Sequence, residues 1–316
     1  MRALITGVTG FVGSHLAEYL LSQGVEVYGL KRWRSNTSLI DHLDVKLLEC
    51  DMDDTFSVIK ALRMVDPDHI YHLAAQSYVD ASYANPIETL RTNVVTTGNL
   101  FEAVKKYCPD RKILFASSSE VYGQVLEGET PITEGNALRP ASPYAVSKAA
   151  CDLLAQNYNK SYGMNIVITR SFTHTGPGRG EVFCESSFAR QIAQMELGKR
   201  DHVSHGNLNS IRTWLDARDI VRLFFSALKT CDSGVYVVGG DDTRSVAEML
   251  DYLFSISKVE KKCVQDASRF RPSDVTLQVP DSSKIRNITG WSPKISFEKT
   301  MTDLLNFWRK IEANKS

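Results

Sequence analysis

Tyr144 and Lys148 stand four residues apart in the segment Tyr144-Ala145-Val146-Ser147-Lys148, inside a run that predicts a helix. This spacing places the phenol and the ammonium one helical turn apart on the same face. An unperturbed phenol has a pKa of about 10, and a neighbouring positive charge lowers that pKa by favouring the phenolate. The pair is therefore a candidate proton relay, in which Tyr144 exchanges a proton with a substrate oxygen and Lys148 assists it.

A glycine-rich turn near the start of the chain could bind phosphate. Gly7, Gly10 and Gly13 have the spacing Gly-x-x-Gly-x-x-Gly between the apolar stretch Ala3-Leu4-Ile5 and a predicted helix. Such a turn lets the backbone approach a pyrophosphate, which then lies at the helix N-terminus. The motif predicts a dinucleotide cofactor, and the contacts that we expect at this turn are Gly7, Thr9, Gly10, Phe11, Val12 and Gly13.

A basic cluster indicates which dinucleotide binds. Lys31, Arg32 and Arg34 follow the second predicted strand, where NAD-specific sites usually offer a carboxylate to the ribose 2′-hydroxyl. Because these cations suit a 2′-phosphate, we expect NADP(H), with Arg32 as the contact and NAD(H) as the alternative. The other expected cofactor contacts are Asp51, Met52, Leu73, Ala74 and Ala75, together with Tyr144 and Lys148.

Ser117-Ser118-Ser119-Glu120 follows a predicted strand at residues 112–116, at the edge where doubly wound sheets bind their ligands. A hydroxyl there can hold a substrate oxygen while Tyr144 moves its proton. A positive nicotinamide ring would add to the effect of Lys148 on the pKa of Tyr144. Glu120 has no use in hydride transfer alone, but it could remove a proton from a carbon next to a ketone. The alternative is that Glu120 has only a structural role.

Alternating strand and helix patterns position these residues. They predict an α/β fold with a Rossmann-type doubly wound parallel sheet and helices on both faces. The predicted strands are residues 2–6, 26–30, 46–49, 69–73, 112–116 and 165–170. The predicted helices are residues 12–22, 56–65, 87–107 and 143–162. The last two helices could pair with those of a second subunit, which would make a homodimer or a tetramer, or they could only cover the sheet.

The pattern changes after about Phe172, where a loop rich in glycine and proline begins. We expect residues 1–170 to form an NADP(H)-binding Rossmann domain. Residues 171–316 should form mainly a smaller, interleaved C-terminal substrate lobe, with segments that return to the sheet. The predicted elements in this half are helices at residues 188–198, 245–255 and 297–311 and a strand at residues 235–238.

Composition argues against several classes of partner. The formal net charge of the 316-residue chain is +0, so no overall field recruits nucleic acid or a membrane surface. No apolar run is long enough to span a bilayer. The six cysteines are scattered without CxxC spacing, so we expect reduced thiols and no metal site. The first predicted strand begins at Arg2 and leaves no room for a signal peptide, so we expect a cytoplasmic protein.

Together, these motifs resemble the extended short-chain dehydrogenase/reductase superfamily, in the branch that acts on nucleotide-diphosphate sugars. The resemblance covers nearly the whole chain. It is carried by residues 7–13, by Ser118 with Tyr144 and Lys148, and by residues 119–123. Residues 139–145 and 270–275 narrow it to GDP-mannose 4,6-dehydratases and GDP-4-keto-6-deoxymannose reductases.

The chain carries features of both groups. Residues 31–35, 75–79 and 179–183 look like the dehydratase, whereas Phe11-Val12 and residues 92–94 and 174–178 look like the reductase. The dehydratase commonly has threonine where this chain has Ser118. Reductases can also carry an acidic residue at the position of Glu120, so that residue does not separate the groups. In both groups asparagine usually precedes the residue that matches His174, and here Thr173 precedes it.

The resemblance implies conversion of GDP-mannose to GDP-4-keto-6-deoxymannose by a GDP-sugar 4,6-dehydratase with tightly bound NADP. The alternatives are an NADPH-dependent 4-reductase and, after it, a nucleotide-sugar epimerase or 4-dehydrogenase. A non-catalytic nucleotide-binding module is a further alternative, which retention of the Tyr-Lys pair disfavours. The resemblance implies that Ser118, Tyr144 and Lys148 handle the C4 hydroxyl, that Glu120 is the base and that Ser119 helps water to leave C6. The implied substrate-binding residues are Gln76, Ser77, Thr173, His174, Arg179, Arg212 and Arg271.

Overall fold

The computed structural model describes residues 1–126, 128–271 and 275–315. In chain order its strands are β1 (Arg2–Thr6), β2 (Glu26–Lys31), β3 (Lys46–Glu49), β4 (His69–His72), β5 (Lys112–Ala116), β6 (Asn165–Ser171), β7 (His174–Thr175), β8 (Val203–His205), β9 (Ile211–Thr213), β10 (Leu215–Asp216), β11 (Gly234–Val238), β12 (Thr243–Ser245), β13 (Cys263–Gln265) and β14 (Leu277–Gln278). Its α-helices are α1 (Phe11–Ser22), α2 (Thr55–Val65), α3 (Val79–Ala84), α4 (Pro86–Leu90), α5 (Thr96–Tyr107), α6 (Pro143–Tyr162), α7 (Cys184–Glu196), α8 (Ala217–Thr230), α9 (Val246–Ser255), α10 (Ser283–Thr289) and α11 (Phe297–Ala313).

The described residues form a parallel sheet of seven strands in the order β3-β2-β1-β4-β5-β6-β11. In its centre, Ile5 of β1 pairs with Gly29 of β2 on one side and with Tyr71 of β4 on the other. The strand order reverses between β1 and β4, and sheets of this kind bind ligands beyond the carboxyl ends of the strands at that point. The predicted doubly wound α/β fold is therefore confirmed.

Helices bury both faces of this sheet. Helices α1 and α8 contact each other and cover one face, with Leu16 and Phe224 in the core beneath them. Helices α2, α5 and α6 cover the other face, where Phe101 is buried. Side chains of a strand point alternately to the two faces, so Leu4 of β1 joins the second core and Ile5 joins the first.

The second half of the chain contributes to two parts of the molecule. Helices α7, α9 and α11 pack together around Ile192, Leu250 and Leu304 as a separate lobe. Strand β11, in contrast, pairs with β6 in the main sheet, and α8 packs on α1. The chain therefore passes between sheet and lobe several times, and its connecting loops lie where the two meet.

Several predicted elements have the observed bounds, and others differ. Strands β1, β3 and β5 and helix α6 begin and end where the sequence predicts. Helix α7 begins at Cys184 rather than at residue 188. The predicted helix at residues 87–107 contains a π-helical turn at Arg91–Val95, and α8 was not predicted. Residues 272–274 of the tail motif lie outside the described residues.

The described ranges contain no candidate for a membrane-spanning helix or for a metal site. None of the helices in residues 1–126, 128–271 and 275–315 is both long and apolar enough to cross a membrane. Over the same ranges, no three histidine, cysteine, aspartate or glutamate side chains are grouped so that they could hold a metal ion.

Candidate active site

A cleft of about 1440 Å³ lies at the carboxyl ends of the sheet strands, between the sheet and the lobe. Its lining includes residues that directly follow β1, β2, β4, β5 and β6. The sequence-predicted site residues that line it are Gly7, Thr9, Gly10, Phe11, Val12, Gly13, Arg32, Asp51, Met52, Leu73, Ala74, Ala75, Gln76, Ser77, Ser118, Ser119, Glu120, Tyr144, Lys148, Thr173, His174, Arg179, Arg212 and Arg271. The fold thus brings the predicted cofactor, catalytic and substrate residues into one cavity, while their individual roles stay predictions.

The glycine turn packs closely against the end of β4. Gly7 has φ +73°, and a Cβ atom there would lie 2.9 Å from the Cα atom of Ala74. A Cβ atom on Gly13 would lie 2.2 Å from the carbonyl oxygen of Gly7, so neither position has room for a side chain. Gly10 is the N-cap of α1 and offers no side-chain cap. The first N–H groups of this helix therefore have no capping side chain and are available to an anion.

Arg32 is the residue of the basic cluster best placed for a 2′-phosphate. Its exposed side chain lines the cleft. Its backbone N–H donates to Ser35 Oγ at 3.0 Å, and this bond holds the turn after β2. Lys31 instead forms an ion pair with Glu49 at 3.4 Å. Arg34 does not line the cleft, so Arg32 is the cleft-lining cation of this cluster that is not held in an ion pair with Glu49.

Tyr144 lies in the first turn of α6 and is buried. Ser142 caps this helix by accepting from the N–H of Ala145 at 3.0 Å. Burial raises the pKa of Tyr144 to about 12, while a hydrogen bond with Ser118 and the charge of Arg179 oppose that rise. The cleft thus holds the phenol in its protonated form in this structure.

Lys148 does not lower the pKa of Tyr144 in the way that the sequence suggests. Its ammonium donates to the carbonyl oxygen of Ala116 at the end of β5 and lies 4.6 Å from the ring centroid of Phe115. Burial lowers the pKa of Lys148 itself. The pKa of Tyr144 is set chiefly by burial, and Lys148 is not among the groups that mainly shift it.

The serine cluster forms a tight turn after β5. A 3₁₀ turn covers Ser119–Tyr122, and Ser118 caps it by accepting from the N–H of Glu120 at 3.2 Å. Ser119 Oγ donates to Oε1 of Gln278 at 3.0 Å. Glu120 is half-buried and interacts electrostatically with both Tyr144 and Arg271. The carboxylate thus lies between the candidate proton relay and a candidate substrate arginine.

A buried ion pair anchors this turn to α6 and β6. Asp152 accepts from Ser117 Oγ at 2.6 Å and from the guanidinium of Arg170 at 2.8 and 3.0 Å. Arg170 also donates to the hydroxyl of Tyr122 at 3.0 Å. The side chains of Arg170 and Asp152 are only 4% and 0% exposed. A buried network whose members have partners favours a single arrangement of the turn.

The π-helical turn directs Asn93 at two parts of the site. Its Oδ1 accepts from the N–H of Gln76 at 2.7 Å, and its Nδ2 donates to the carbonyl of Gln76 at 3.0 Å and to Ser147 Oγ at 2.8 Å. Ser147 in turn donates to the carbonyl of Tyr144 at 2.7 Å. The amide of Gln76 is bonded to Tyr78 in its own loop and to Thr89 on α4. Gln76 therefore shapes the wall of the cleft.

Arg179 and His174 follow β6 in the chain, and the guanidinium carbon of Arg179 lies 5.2 Å from the ring centroid of Phe11, beside the glycine turn. The guanidinium carbon of Arg179 lies 3.4 Å from the ring centroid of Phe183, and its Nε lies 3.4 Å from Glu185 Oε1 without a hydrogen bond. Burial, and then the charge of Arg179, lowers the pKa of His174 to about 4. Its Nδ1 bonds the carbonyl of Phe172 at 2.9 Å and must donate, so Nε2 is an acceptor.

The other two arginines among the substrate candidates, Arg212 and Arg271, lie in the second half of the chain. Arg212 on β9 donates to the carbonyl of Val275. Arg271 donates from Nε to Asp80 Oδ1 at 2.7 Å, so it joins the lobe to α3 across the cleft. Both guanidinium groups therefore line the cleft with protein partners of their own.

Comparison with known proteins bears on this site. A family profile described as GDP-mannose 4,6 dehydratase matches residues 4–304. The chain belongs to this family. Within the GDP-mannose 4,6-dehydratase family, a protein of that name from Yersinia enterocolitica is 34% identical over 346 aligned residues, which cover 96% of this chain and 92% of that protein. A GDP-6-deoxy-D-mannose reductase from Pseudomonas aeruginosa is 32% identical over 310 residues, which cover 97% of each chain.

Solved structures agree with the family assignment. The structure of RMD from Pseudomonas aeruginosa complexed with NADPH is 30% identical and has a TM-score of 0.84, with 98% of this chain and 99% of that chain covered. The resemblance to the extended short-chain dehydrogenase/reductase superfamily, in its nucleotide-sugar branch, is therefore confirmed.

Some residues of this GDP-mannose 4,6-dehydratase family site were not predicted. Gln278, Asp152, Arg170 and Glu185 contact or support the cleft through partners on other elements. No local motif marks these four residues. The sequence indicated Asn93 only as part of residues 92–94, a segment similar to the reductase. Its place in a long predicted helix that faces the site was a signal that could have identified it.

Proposed function

We propose that the chain removes water from a GDP-bound hexose and converts GDP-mannose to GDP-4-keto-6-deoxymannose. The observation that carries this proposal is the match of residues 4–304 to the GDP-mannose 4,6-dehydratase profile. Glu120, a half-buried carboxylate that lines the cleft and interacts with Tyr144, offers the base that this reaction needs. Hydride transfer alone needs no carboxylate beside the phenol, whereas dehydration needs a base for the proton next to a ketone. Membership of the GDP-mannose 4,6-dehydratase family supports the same reaction.

The residues present fit NADP(H) as the cofactor. The uncapped N-terminus of α1 and the glycine turn suit the pyrophosphate, and Arg32 suits a 2′-phosphate. The Pseudomonas aeruginosa structure with NADPH supports this choice. Asp51 and Met52 would line the adenosine end, and Leu73, Ala74 and Ala75 would pass along the cofactor. When bound, the cofactor would take a hydride from C4 and later return it to C6, so that the oxidation and the reduction balance.

Tyr144 would move the proton of the C4 hydroxyl. Ser118, which is hydrogen-bonded to Tyr144, would hold the same oxygen. Lys148 would keep a positive charge near the phenol while its bond to Ala116 fixes the ammonium. The charge of Arg179 also favours the phenolate and so opposes the effect of burial.

Glu120 would act next, on the proton at C5. A ketone at C4 acidifies that proton, and the carboxylate takes it as the electrons of the C–H bond form a double bond to C6. The C6 hydroxyl leaves as water together with the proton that Glu120 took, and C5 would regain a proton from solvent when C6 is reduced. Ser119, which lies between Ser118 and Glu120 in the turn, would contact that oxygen.

The GDP group would lie between the lobe and the loop after β4. Arg179, Arg212 and Arg271 would bind its phosphates and ribose, because a guanidinium binds phosphate oxygens in pairs. His174 would accept a hydrogen bond at Nε2 rather than act as a cation, since its pKa is lowered to about 4 by burial and by Arg179. The other expected contacts on these walls are Gln76, Ser77 and Thr173.

The 4-keto reductase is the second candidate. The alignment to the Pseudomonas aeruginosa reductase spans 310 residues, close to the length of this chain. The alignment to the Yersinia enterocolitica dehydratase spans 346 residues and so includes insertions relative to this chain. The lack of these insertions therefore favours the reductase, whereas the match to the GDP-mannose 4,6-dehydratase profile favours the dehydratase.

Product analysis separates the two. Purified protein with GDP-mannose and NADP⁺ should form a keto sugar that is lighter by one water, with no net change in nicotinamide absorbance. If the protein leaves GDP-mannose unchanged but oxidises NADPH in the presence of GDP-4-keto-6-deoxymannose, the dehydratase proposal is wrong and the chain is the reductase.

We also propose a homodimer formed through α6 and the segment 86–107. Val95, Val146 and Leu153 on these helices are 44%, 43% and 55% exposed, which is unusual for apolar residues that only cover a sheet. A second copy would bury this surface, and a tetramer would use a further face. Light scattering on Leu153→Glu should give a smaller particle than the wild type.

We further propose that residues 1–170 hold the cofactor and residues 171–316 mainly the substrate. We also propose that the protein is cytoplasmic, where its six free cysteines stay reduced.

A further inference from the structure

Gln278 is a buried amide at the cleft that the proposed chemistry does not use. It lies on β14, where its Cα pairs in register with Arg212 of β9. The residue is 1% exposed, yet it lines the cleft together with Ser119 and Glu120. Buried polar atoms nearly always have hydrogen-bond partners. We therefore expect a partner for both the Oε1 and the Nε2 atom of Gln278.

Among the residues that the structure describes, only one of these two atoms has a hydrogen-bond partner. Gln278 Oε1 accepts from Ser119 Oγ at 3.0 Å. Nε2 of Gln278 is buried and has no hydrogen-bond partner among the described residues. A buried donor left unpaired is costly, and a ligand atom that accepts from it would remove that cost.

The direction of the bond decides what Ser119 can offer to a ligand. A serine hydroxyl has a single proton, and Ser119 donates it to Gln278. Towards a ligand, Ser119 Oγ is therefore an acceptor, while the Nε2 group of Gln278 is a donor. An acceptor beside a donor matches a hydroxyl group, which itself both donates and accepts.

We infer that Ser119 and Gln278 together form a subsite that recognises the C6 hydroxyl of the hexose. This assignment rests on the proposed function, in which Ser118 contacts the oxygen at C4 and Glu120 the proton at C5. The hydroxyl of C6 donates to Ser119 Oγ and accepts from Nε2 of Gln278. Ser119 therefore holds the C6 oxygen rather than giving it a proton, and a 6-deoxy sugar leaves both groups unpaired.

The test compares the binding of GDP-mannose and GDP-6-deoxymannose to the NADP-loaded protein by calorimetry. All variants carry Tyr144→Phe, so that neither ligand is consumed. The parent should bind GDP-mannose at least about tenfold more tightly than the 6-deoxy compound, the value of one lost hydrogen bond to a buried group. Gln278→Met, which keeps the side-chain volume, should reduce this ratio to less than about threefold, and so should Ser119→Ala.

Gln124 supplies the matched control. Its amide bonds Thr276 on the segment that leads into β14, at 2.9 and 3.2 Å, but it does not line the cleft. Gln124→Met should keep the parent ratio. A purely structural role of Gln278 would weaken both ligands equally and leave the ratio unchanged, which would overturn the inference, as would a parent that does not distinguish the two sugars. Turnover of GDP-mannose by the wild type is measured separately, so failure of the proposed function and failure of this subsite give different results.

Discussion

The protonation of Tyr144 should depend on the charge of the bound cofactor. Burial raises the pKa of its phenol to about 12, and the hydrogen bond with Ser118 and the charge of Arg179 offset this rise only in part. The nicotinamide ring of NADP⁺ is positive, whereas that of NADPH is neutral. A positive charge beside the phenol favours the phenolate, so the oxidised cofactor should lower the pKa of Tyr144 and the reduced cofactor should not.

The size of this effect follows from the charge and its distance. A unit charge about 6 Å from the phenol oxygen contributes roughly 2.8 kcal/mol at an effective dielectric constant of about 20. This energy corresponds to about two pKa units. Starting from a pKa of about 12, the NADP⁺ complex should therefore titrate near 10, with about a hundredfold more phenolate at neutral pH than the NADPH complex. Turnover limited by this proton should rise with pH up to that value.

Tyrosinate absorbance measures this directly. The titration curve of Tyr144→Phe is subtracted from that of the wild type, once with NADP⁺ and once with NADPH. The variant should keep its fold and its GDP-sugar affinity, while kcat falls by about a hundredfold or more because the group that moves the C4 proton is missing. Equal pKa values in the two complexes would refute the electrostatic argument. Activity of Tyr144→Phe within about tenfold of the wild type, or about 1.4 kcal/mol in barrier height, would refute the role of Tyr144 itself.

Further predictions concern the base, the cofactor and the buried ion pair. Glu120→Gln with GDP-mannose and NADP⁺ should accumulate reduced cofactor on the protein without loss of water from the sugar, and normal product formation would exclude Glu120 as the base. Arg32→Asp should weaken NADP(H) by at least about tenfold with little change for NAD(H) in a fluorescence titration, because a phosphate partner becomes a repulsive carboxylate; equal losses would contradict this contact. Asp152→Asn should lower the free energy of unfolding by about 3–5 kcal/mol in urea, since it leaves the Arg170 charge buried without its partner. Asp66→Asn, which removes an exposed carboxylate that pairs with Arg2 and Arg111, should change it little, and similar losses in both variants would contradict that account.

Much of the fold could be predicted because its signals are local. Strands β1 and β5 are short apolar runs, and α6 has Ser142 as an N-cap and Gly163 after its last turn, so their bounds follow from neighbouring residues. Helix α8 has a comparable local signal, an N-cap at Asp216 followed by apolar residues on one face. This helix was nevertheless not predicted. Helix α7 begins four residues before the predicted position. That start was harder to predict, because Phe183 at its N-cap offers no side-chain cap.

The interruption of the helix at residues 87–107 could not be predicted from periodicity. The π-helical turn at Arg91–Val95 directs the Asn93 side chain to the loop at Gln76 and to Ser147 on α6. A regular helix would satisfy the same apolar pattern, so the reason for the turn lies in partners that the local sequence does not contain.

By itself, the sequence determined which groups meet in the cleft, because the glycine turn, the serine cluster and the Tyr-Lys pair all follow or face the carboxyl ends of parallel strands, which share one edge of the sheet. Only the tertiary structure decided what state those groups are in. Ser119 donates to Gln278, which lies 159 residues further along the chain, and the pKa of Tyr144 is raised to about 12 chiefly by burial under neighbouring elements. Hydrogen-bond direction and desolvation depend on which atoms surround a group after folding, and distant segments of the chain supply most of those atoms.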